Sequence, residues 1–142
     1  MRLLELLSPA KNLECGISAI DHGADSVYIG ARKYGARAAA GNSVEDIATL
    51  CRYAHRYDAK VYATVNTIIY DQEMDDTLTL CHELSEAGVD ALLVQDMGLL
   101  TLLRDEENNF RPTLHASTQT DNRSVEKVRW LAEQGFRRVV LA

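Results

Sequence analysis

The sequence predicts an α/β chain of the (β/α)8 TIM-like barrel class, truncated to about six β/α units. Three observations predict it. First, a helix-like segment runs four times through a short turn into an apolar stretch too short for a helix. The four junctions are Gly23-Ala24-Asp25 into Ser26–Ile29, Tyr57–Lys60 into Val61–Val65, Gly88-Val89-Asp90 into Ala91–Val94, and Gly135–Arg138 into Val139–Leu141. Apolar runs without polar alternation suit parallel strands buried on both faces. Second, no G-x-G-x-x-G or G-x-x-x-x-G-K-[ST] run follows any strand, so the signatures of the common open dinucleotide and P-loop sheets are missing. Third, polar residues recur at the C-terminal ends of the strands, where a barrel builds its active site.

The elements follow in order. Leu3–Leu7 is the first strand candidate, closed by Ser8-Pro9-Ala10, because proline cannot continue a ladder. Asn12 to His22 reads as a helix with Leu13, Ile17 and Ile20 on one face. Ser26–Gly30 is the second strand. An Arg-, Ala- and Gly-rich connection, Ala31–Gly41, is longer than usual, which favours a functional loop. Ser43 is placed to cap a helix carrying Ile47, Leu50, Cys51 and Ala54. Val61–Val65 is the third strand, and Gln72 to Ala87 a helix burying Met74, Leu78, Cys81 and Leu84. Ala91–Val94, a short helix Leu99–Leu103 and strand Thr113–Ala116 come next. Ser124–Gln134, with Val125, Val128, Trp130 and Leu131, is the last helix, and Val139–Leu141 the sixth strand.

A complete barrel needs eight strands and about 250 residues, so the expectation for 1–142 is one partial barrel domain of a longer protein. Its open strand edges predict self-association, as a homodimer or by exchange of elements. A formal charge of −6 disfavours generic nucleic-acid binding by the whole chain, while leaving room for a local basic patch. No run reaches the roughly 18–20 apolar residues of a membrane span, and Glu5 interrupts the N-terminal apolar run, so no signal peptide is read. Cys15, Cys51 and Cys81 are widely spaced and odd in number, as expected for thiols of a cytoplasmic protein, and they suggest neither a disulfide framework nor a metal site.

Polar groups at the strand ends are expected to converge on one mouth. Glu5 and His115 are the candidate catalytic residues, His115 because imidazole titrates near neutrality. Tyr28, Arg37, Asn66, Gln95, Asp96, Ser117 and Gln119 are the candidate substrate-binding residues, with Ser8 beside them. Such a set of carboxylates, amides and an arginine suits an anionic or amide-rich substrate. Each has a structural alternative: Glu5 in an ion pair with Arg37, His115 as a hydrogen-bonded strand-end histidine, Asp96 as a helix cap. Arg32, Lys33 and Arg37 form the basic loop near this mouth, and His22, His55 and His82 read as surface residues. No Ser-His-Asp or Cys-His arrangement and no H-E-x-x-H can be read from spacing.

The run Glu5-Leu6-Leu7-Ser8-Pro9-Ala10-Lys11-Asn12-Leu13-Glu14 resembles the opening of the collagenase-like peptidases, peptidase family U32. The likeness continues through Ala19–Gly30, Val61–Thr67, Gly88–Asp96 and Leu114–Gln119, and so covers essentially the whole chain. Lys11 departs from it, standing where the family usually has glycine. The resemblance implies a peptidase, hydrolysing peptide bonds. Other branches of the family imply an alternative, iron–sulfur-dependent hydroxylation of tRNA, rRNA or a quinone precursor. The cluster-binding cysteines of those branches lie C-terminal to the region matched here, so the cluster is expected in the full-length protein and no cofactor in this segment. The substrate expected is accordingly a peptide or an RNA, with the segment alone inactive. The remaining alternative is a non-catalytic binding or scaffold barrel.

Overall fold

The computed structural model describes residues 4–31, 41–105 and 110–142. Six parallel strands lie in sequential order: β1 (Leu7–Ala10), β2 (Ser26–Gly30), β3 (Lys60–Val65), β4 (Ala91–Val94), β5 (Thr113–Ala116) and β6 (Arg138–Val139). Between them run α1 (Leu13–Asp21), α2 (Val44–Ala54), α3 (Met74–Ala87), α4 (Met97–Asp105) and α5 (Val125–Glu133). Strand order equal to chain order, with a helix in each crossover, is the barrel rhythm rather than the reversing order of an open doubly wound sheet.

The sheet curls into a half-barrel, as two contacts require. Neighbouring strands are about 4.8 Å apart, so β2 and β6 would stand about 19 Å apart in a flat sheet. Yet one carboxylate, Glu5, accepts hydrogen bonds from Ser26 of β2, Tyr62 of β3 and Arg138 of β6. Asn66, just past β3, likewise reaches Ser117, just past β5, at 3.1 Å.

Two apolar clusters lie on the two sides of this curve. The larger packs the convex face against the helices through Val27, Ile29, Val61, Val65, Leu92 and Val94, which meet Ile47, Leu50, Leu84 and Leu99. The smaller lies on the concave face, where Tyr62, Ala91 and Leu93 are joined by Leu7 and Tyr28. Alternation along each strand separates the two sets.

Local chemistry sets the element boundaries. Asn12, Ser43 and Ser124 each accept a backbone N–H from the first turn of α1, α2 and α5. Gly23, Gly88 and Gly135 all adopt left-handed φ, at +94°, +94° and +96°, in the turn from a helix to the next strand. The α2–β3 junction lacks a glycine and uses Asp58, at φ 55°, instead. Lys11 is not among the non-glycine residues with positive φ, so the turn before α1 has no need of glycine at that position.

Three expectations are corrected, the bounds of two strands and the setting of His82. The first strand is Leu7–Ala10, not Leu3–Leu7, and it includes Pro9. Proline is tolerated because β1 pairs with β2 alone and lies at the sheet edge. The sixth strand is Arg138–Val139 rather than Val139–Leu141. On α5 only Leu131 is buried; Val125 and Trp130 are exposed, with the Lys127 ammonium 5.0 Å above the Trp130 ring. His82 is half-buried, edge-on to Phe110, rather than on the surface. Arg32, Lys33 and Arg37 lie outside the described residues. No helix among the described residues is long and apolar enough to cross a membrane.

Candidate functional site at the C-terminal mouth

The concave face is built in layers, because residues two apart on a strand share a face. Lowest, at the N-terminal end of the strands, lies a charged cluster. Arg138 Nη1 donates to Glu5 Oε1 at 3.0 Å while Nη2 donates to Oε2, and the guanidinium lies 5.4 Å from the Tyr62 ring centroid. The Ser26 and Tyr62 hydroxyls each donate to the same Glu5 oxygen at 2.6 Å. These donors, the Arg138 guanidinium first, hold the Glu5 carboxyl down at about 2 against the opposing effect of burial. Burial and the adjacent carboxylate push the Tyr62 phenol up to about 12.

His115 stands beside this cluster, edge-on to Tyr62 at 4.9 Å and with Nε2 3.3 Å from Thr113 Oγ1. It is buried, and desolvation together with the positive charge of Arg138 lowers its pKa to about 4. The imidazole is therefore neutral at pH 7.

Above the cluster the concave face opens. A cavity of about 680 Å³ is lined by Tyr28, Gly30, Thr64, Asn66, Ser117 and Gln119, with Lys11 and Cys15 at the N-terminal end of α1. Gly30 and Thr64 are register partners, and their small side chains leave the space beside them open. Asn66 Nδ2 donates to Ser117 Oγ, which also accepts the Gln119 backbone N–H at 3.2 Å. Asn42, which sequence reasoning passed over, is buried and ties two walls together. Its amide donates to the Gly30 carbonyl at 2.9 Å and the Lys11 carbonyl at 3.1 Å. Asn122, also passed over, is almost fully buried and joins the ends of β5 and β6 through the Ser117 and Val140 carbonyls, each at 2.8 Å.

The candidate residues thus divide into three sets. Tyr28, Asn66, Ser117 and Gln119 line one cavity. Glu5 and His115 are not part of its lining: Glu5 is at the opposite end of β1 from the mouth because that strand begins at Leu7, and His115 stands in register with Leu93 and Thr64 but turns to Tyr62. Its ion-pair partner is Arg138. Gln95 and Asp96 follow β4 outside the cavity lining, and Asp96 caps α4 by accepting from Leu99 N at 2.9 Å and holds Ile69 N at 3.2 Å. Tyr62 and Arg138 were missed. Tyr62 carried a signal, since it alternates with Thr64 and Asn66 along β3.

The arrangement offers hydrogen-bonding amides and hydroxyls. No hydrogen bond joins Ser117 to His115; Ser117 is bonded to Asn66 and Gln119, and His115 to Thr113. The cysteines do not fit a cluster site. Cys51 and Cys81 are buried, burial drives the Cys51 thiol up to about 12, and no three metal-ligating side chains gather among the described residues.

Comparisons with known proteins bear on this arrangement. Over 140 residues the chain is 51% identical to the 23S rRNA 5-hydroxycytidine C2501 synthase of Escherichia coli (strain K12), covering 98% of this chain and 20% of that protein. It is 37% identical over 139 residues to tRNA hydroxylation protein P1 of Bacillus subtilis (strain 168), covering 97% of this chain and 32% of the other. The chain therefore spans a third or less of the length of these curated relatives. Among solved structures, the U32 peptidase Mk0906 superposes with a TM-score of 0.73 at 14% identity, over 99% of this chain and 60% of that one, a likeness of fold. The family model for peptidase family U32 matches residues 11–142, and the chain belongs to that family.

Proposed function

We propose that this chain is part of the barrel domain of a longer RNA-hydroxylating enzyme, and that its C-terminal mouth holds the RNA. The observation that carries the reading is 51% identity, across 98% of the chain, to a protein named for making 5-hydroxycytidine in 23S rRNA. The mouth is compatible with it. Amides and hydroxyls from Asn66, Ser117, Thr118 and Gln119 suit the mixed donors and acceptors of base and ribose, and Lys11 supplies a cation for phosphate. In this reading Glu5, Arg138 and Tyr62 position the floor. The oxidising centre belongs to the remainder of the longer protein, since the cysteines described here do not assemble one.

For hydrolysis of peptides, the reading first suggested by the family name, Ser117 and His115 form no nucleophile–base pair among the described residues: Ser117 bonds Asn66 and His115 lies against Thr113. The test is nucleoside mass spectrometry of ribosomal and transfer RNA from cells lacking the gene. The expected result is loss of a hydroxylated pyrimidine nucleoside. Complementation with the full-length protein restores it, and the Asn66→Ala, Gln119→Ala double variant does not. Unchanged RNA together with peptide cleavage by the purified protein sinks the reading.

A further inference from the structure

We infer that the mouth takes one unpaired pyrimidine nucleotide base-first, with Gly30 and Thr64 making the room and the Gln119 amide reading the edge of the base. This rests on the RNA reading above and adds how the substrate enters and what selects it.

The concave face is closed at one level and open at the next. Tyr62 and His115, in edge-to-face contact, fill the barrel interior beside the Glu5–Arg138 pair. One step up from Tyr62 along β3, Gly30 pairs in register with Thr64, and a Cβ added at Gly30 would come 3.5 Å from Thr64 Oγ1. The glycine is therefore not demanded by backbone strain or by a clash. Its effect is to leave open the space beside Thr64, on the β2 side of that row. Tyr28, Leu7 and Leu93 give the resulting cavity apolar walls suited to a flat ring, and the polar groups sit at its rim. A volume of about 680 Å³ falls within the range of about 300–1,000 Å³ usual for sites that enclose a small ligand.

The chemistry of the rim points to a nucleotide. Gln119 is exposed, and its side-chain amide makes no hydrogen bond to another described residue, so it can donate and accept at once. The Watson–Crick edge of a base requires both, and the choice of a pyrimidine comes from the RNA reading above. Lys11 stands at the same rim to meet a phosphate, in a chain whose overall charge is −6. A concave pocket admits a base only after it has left its stack, so the RNA must present an unpaired or extruded nucleotide. The loop after β3 agrees with this. It places Ile68 and Tyr70, 67% and 70% exposed, in solvent at the same end of the sheet, where a flanking unpaired base can stack.

The experiment uses the full-length protein, with cytidine 5′-monophosphate and a hairpin RNA carrying one unpaired cytosine as probes and the fully paired duplex as control. Gly30→Val fills that space with a side chain that strands favour. The expected result is binding of both probes but not of the duplex, with at least about a tenfold loss of nucleotide affinity in Gly30→Val, equivalent to about 1.4 kcal/mol. Gln119→Ala, at an exposed position that leaves the core untouched, is expected to weaken the nucleotide several-fold and serves if Gly30→Val fails to fold. Wild-type protein that ignores both probes, a duplex bound as well as the hairpin, or folded variants that bind as wild type does would overturn the inference. The two readings fail separately. RNA hydroxylation that depends on the gene but proceeds at the wild-type rate in both variants removes the pocket and leaves the reaction. Nucleotide binding abolished by Gly30→Val, with cellular RNA unchanged on gene deletion, leaves the pocket and removes the reaction.

Discussion

Arg138 closes on Glu5, 133 positions earlier in the chain, and lies over the ring of Tyr62. One guanidinium thereby joins the segment ahead of β1 to the start of β6 across the inside of the half-barrel. The Glu5 carboxyl titrates at about 2 in the folded protein against 4.5 for an unperturbed group. A depressed carboxylate contributes stability that is complete above the higher value and lost as pH falls toward the lower. Glu5→Gln should therefore destabilise the protein at pH 7 by about 1 kcal/mol, the upper range for a partly solvated pair. The difference from wild type should shrink through the window from 4.5 down to about 2. Denaturant midpoints of both proteins at pH 7 and pH 3 check this, and a gap that stays constant refutes it.

His115 predicts a second pH dependence, of the same direction but at higher pH. Its folded pKa of about 4 lies below the ordinary 6.5 because burial and Arg138 disfavour the imidazolium. Between these values the unfolded chain binds a proton that the native state does not, so stability falls as pH drops from 6.5 toward about 4. The loss should be on the order of 2 kcal/mol and should vanish in His115→Gln. NMR titration of the His115 ring should show no protonation at pH 6, and a midpoint near 6.5 would contradict the buried, neutral assignment.

The half-barrel was legible because its information is local. Ser26–Gly30, Ala91–Val94 and Thr113–Ala116 are uninterrupted apolar or mixed runs behind a turn, and the structure places strands on those same residues. Leu3–Leu7 misled because an apolar run was read as a strand, whereas pairing with β2 selects Leu7–Ala10 and leaves Leu4 89% exposed. That shift is what moved Glu5 away from the mouth. Asn66, Ser117 and Gln119 share a cavity because the same logic, polar residues just past strands, locates the same end of a sheet. The partnership of Glu5 with Arg138 had no local signature, since only the curl of the sheet brings them together.

Asp96 joins two loops of the mouth with one carboxylate. Oδ1 caps α4 at Leu99 N and Oδ2 holds Ile69 N, in the loop that presents Ile68 and Tyr70. Asp96→Ala should cost about 1–2 kcal/mol, the loss of a helix cap plus a backbone partner. Amide hydrogen exchange should accelerate at both Ile69 and Leu99. Acceleration at Leu99 alone would show that the carboxylate serves only as a cap.

Asn122 should matter more than its place in a loop suggests. Its amide nitrogen satisfies two carbonyls, and its oxygen lies 2.6 Å from Thr120 Oγ1, all with almost no solvent contact. Asn122→Ala leaves the Ser117 and Val140 carbonyls without that donor, at a cost of about 1–3 kcal/mol. Because Ser117 and Gln119 ride on this network, nucleotide affinity should fall with stability. A variant destabilised by that amount but binding cytidine 5′-monophosphate normally would separate the network from the mouth.

The edges of the sheet give the last prediction. β1 and β6 each pair on one side only, and Leu4, Leu6 and Leu141 beside them are exposed. Unpaired backbone groups next to apolar side chains are a template for another strand. In the longer relatives of this chain, two thirds or more of the protein lies outside the matched region and is available to cover such edges. The 142-residue chain expressed alone should therefore self-associate, while the full-length protein keeps these edges covered. Sedimentation velocity across a concentration series distinguishes the two. Lysine substitution at Leu6 and Leu141 should shift the isolated chain toward monomer, since charge on an edge opposes pairing. A monodisperse wild-type monomer with a sharp unfolding transition would mean that the Glu5–Arg138 closure suffices to hold the half-barrel by itself.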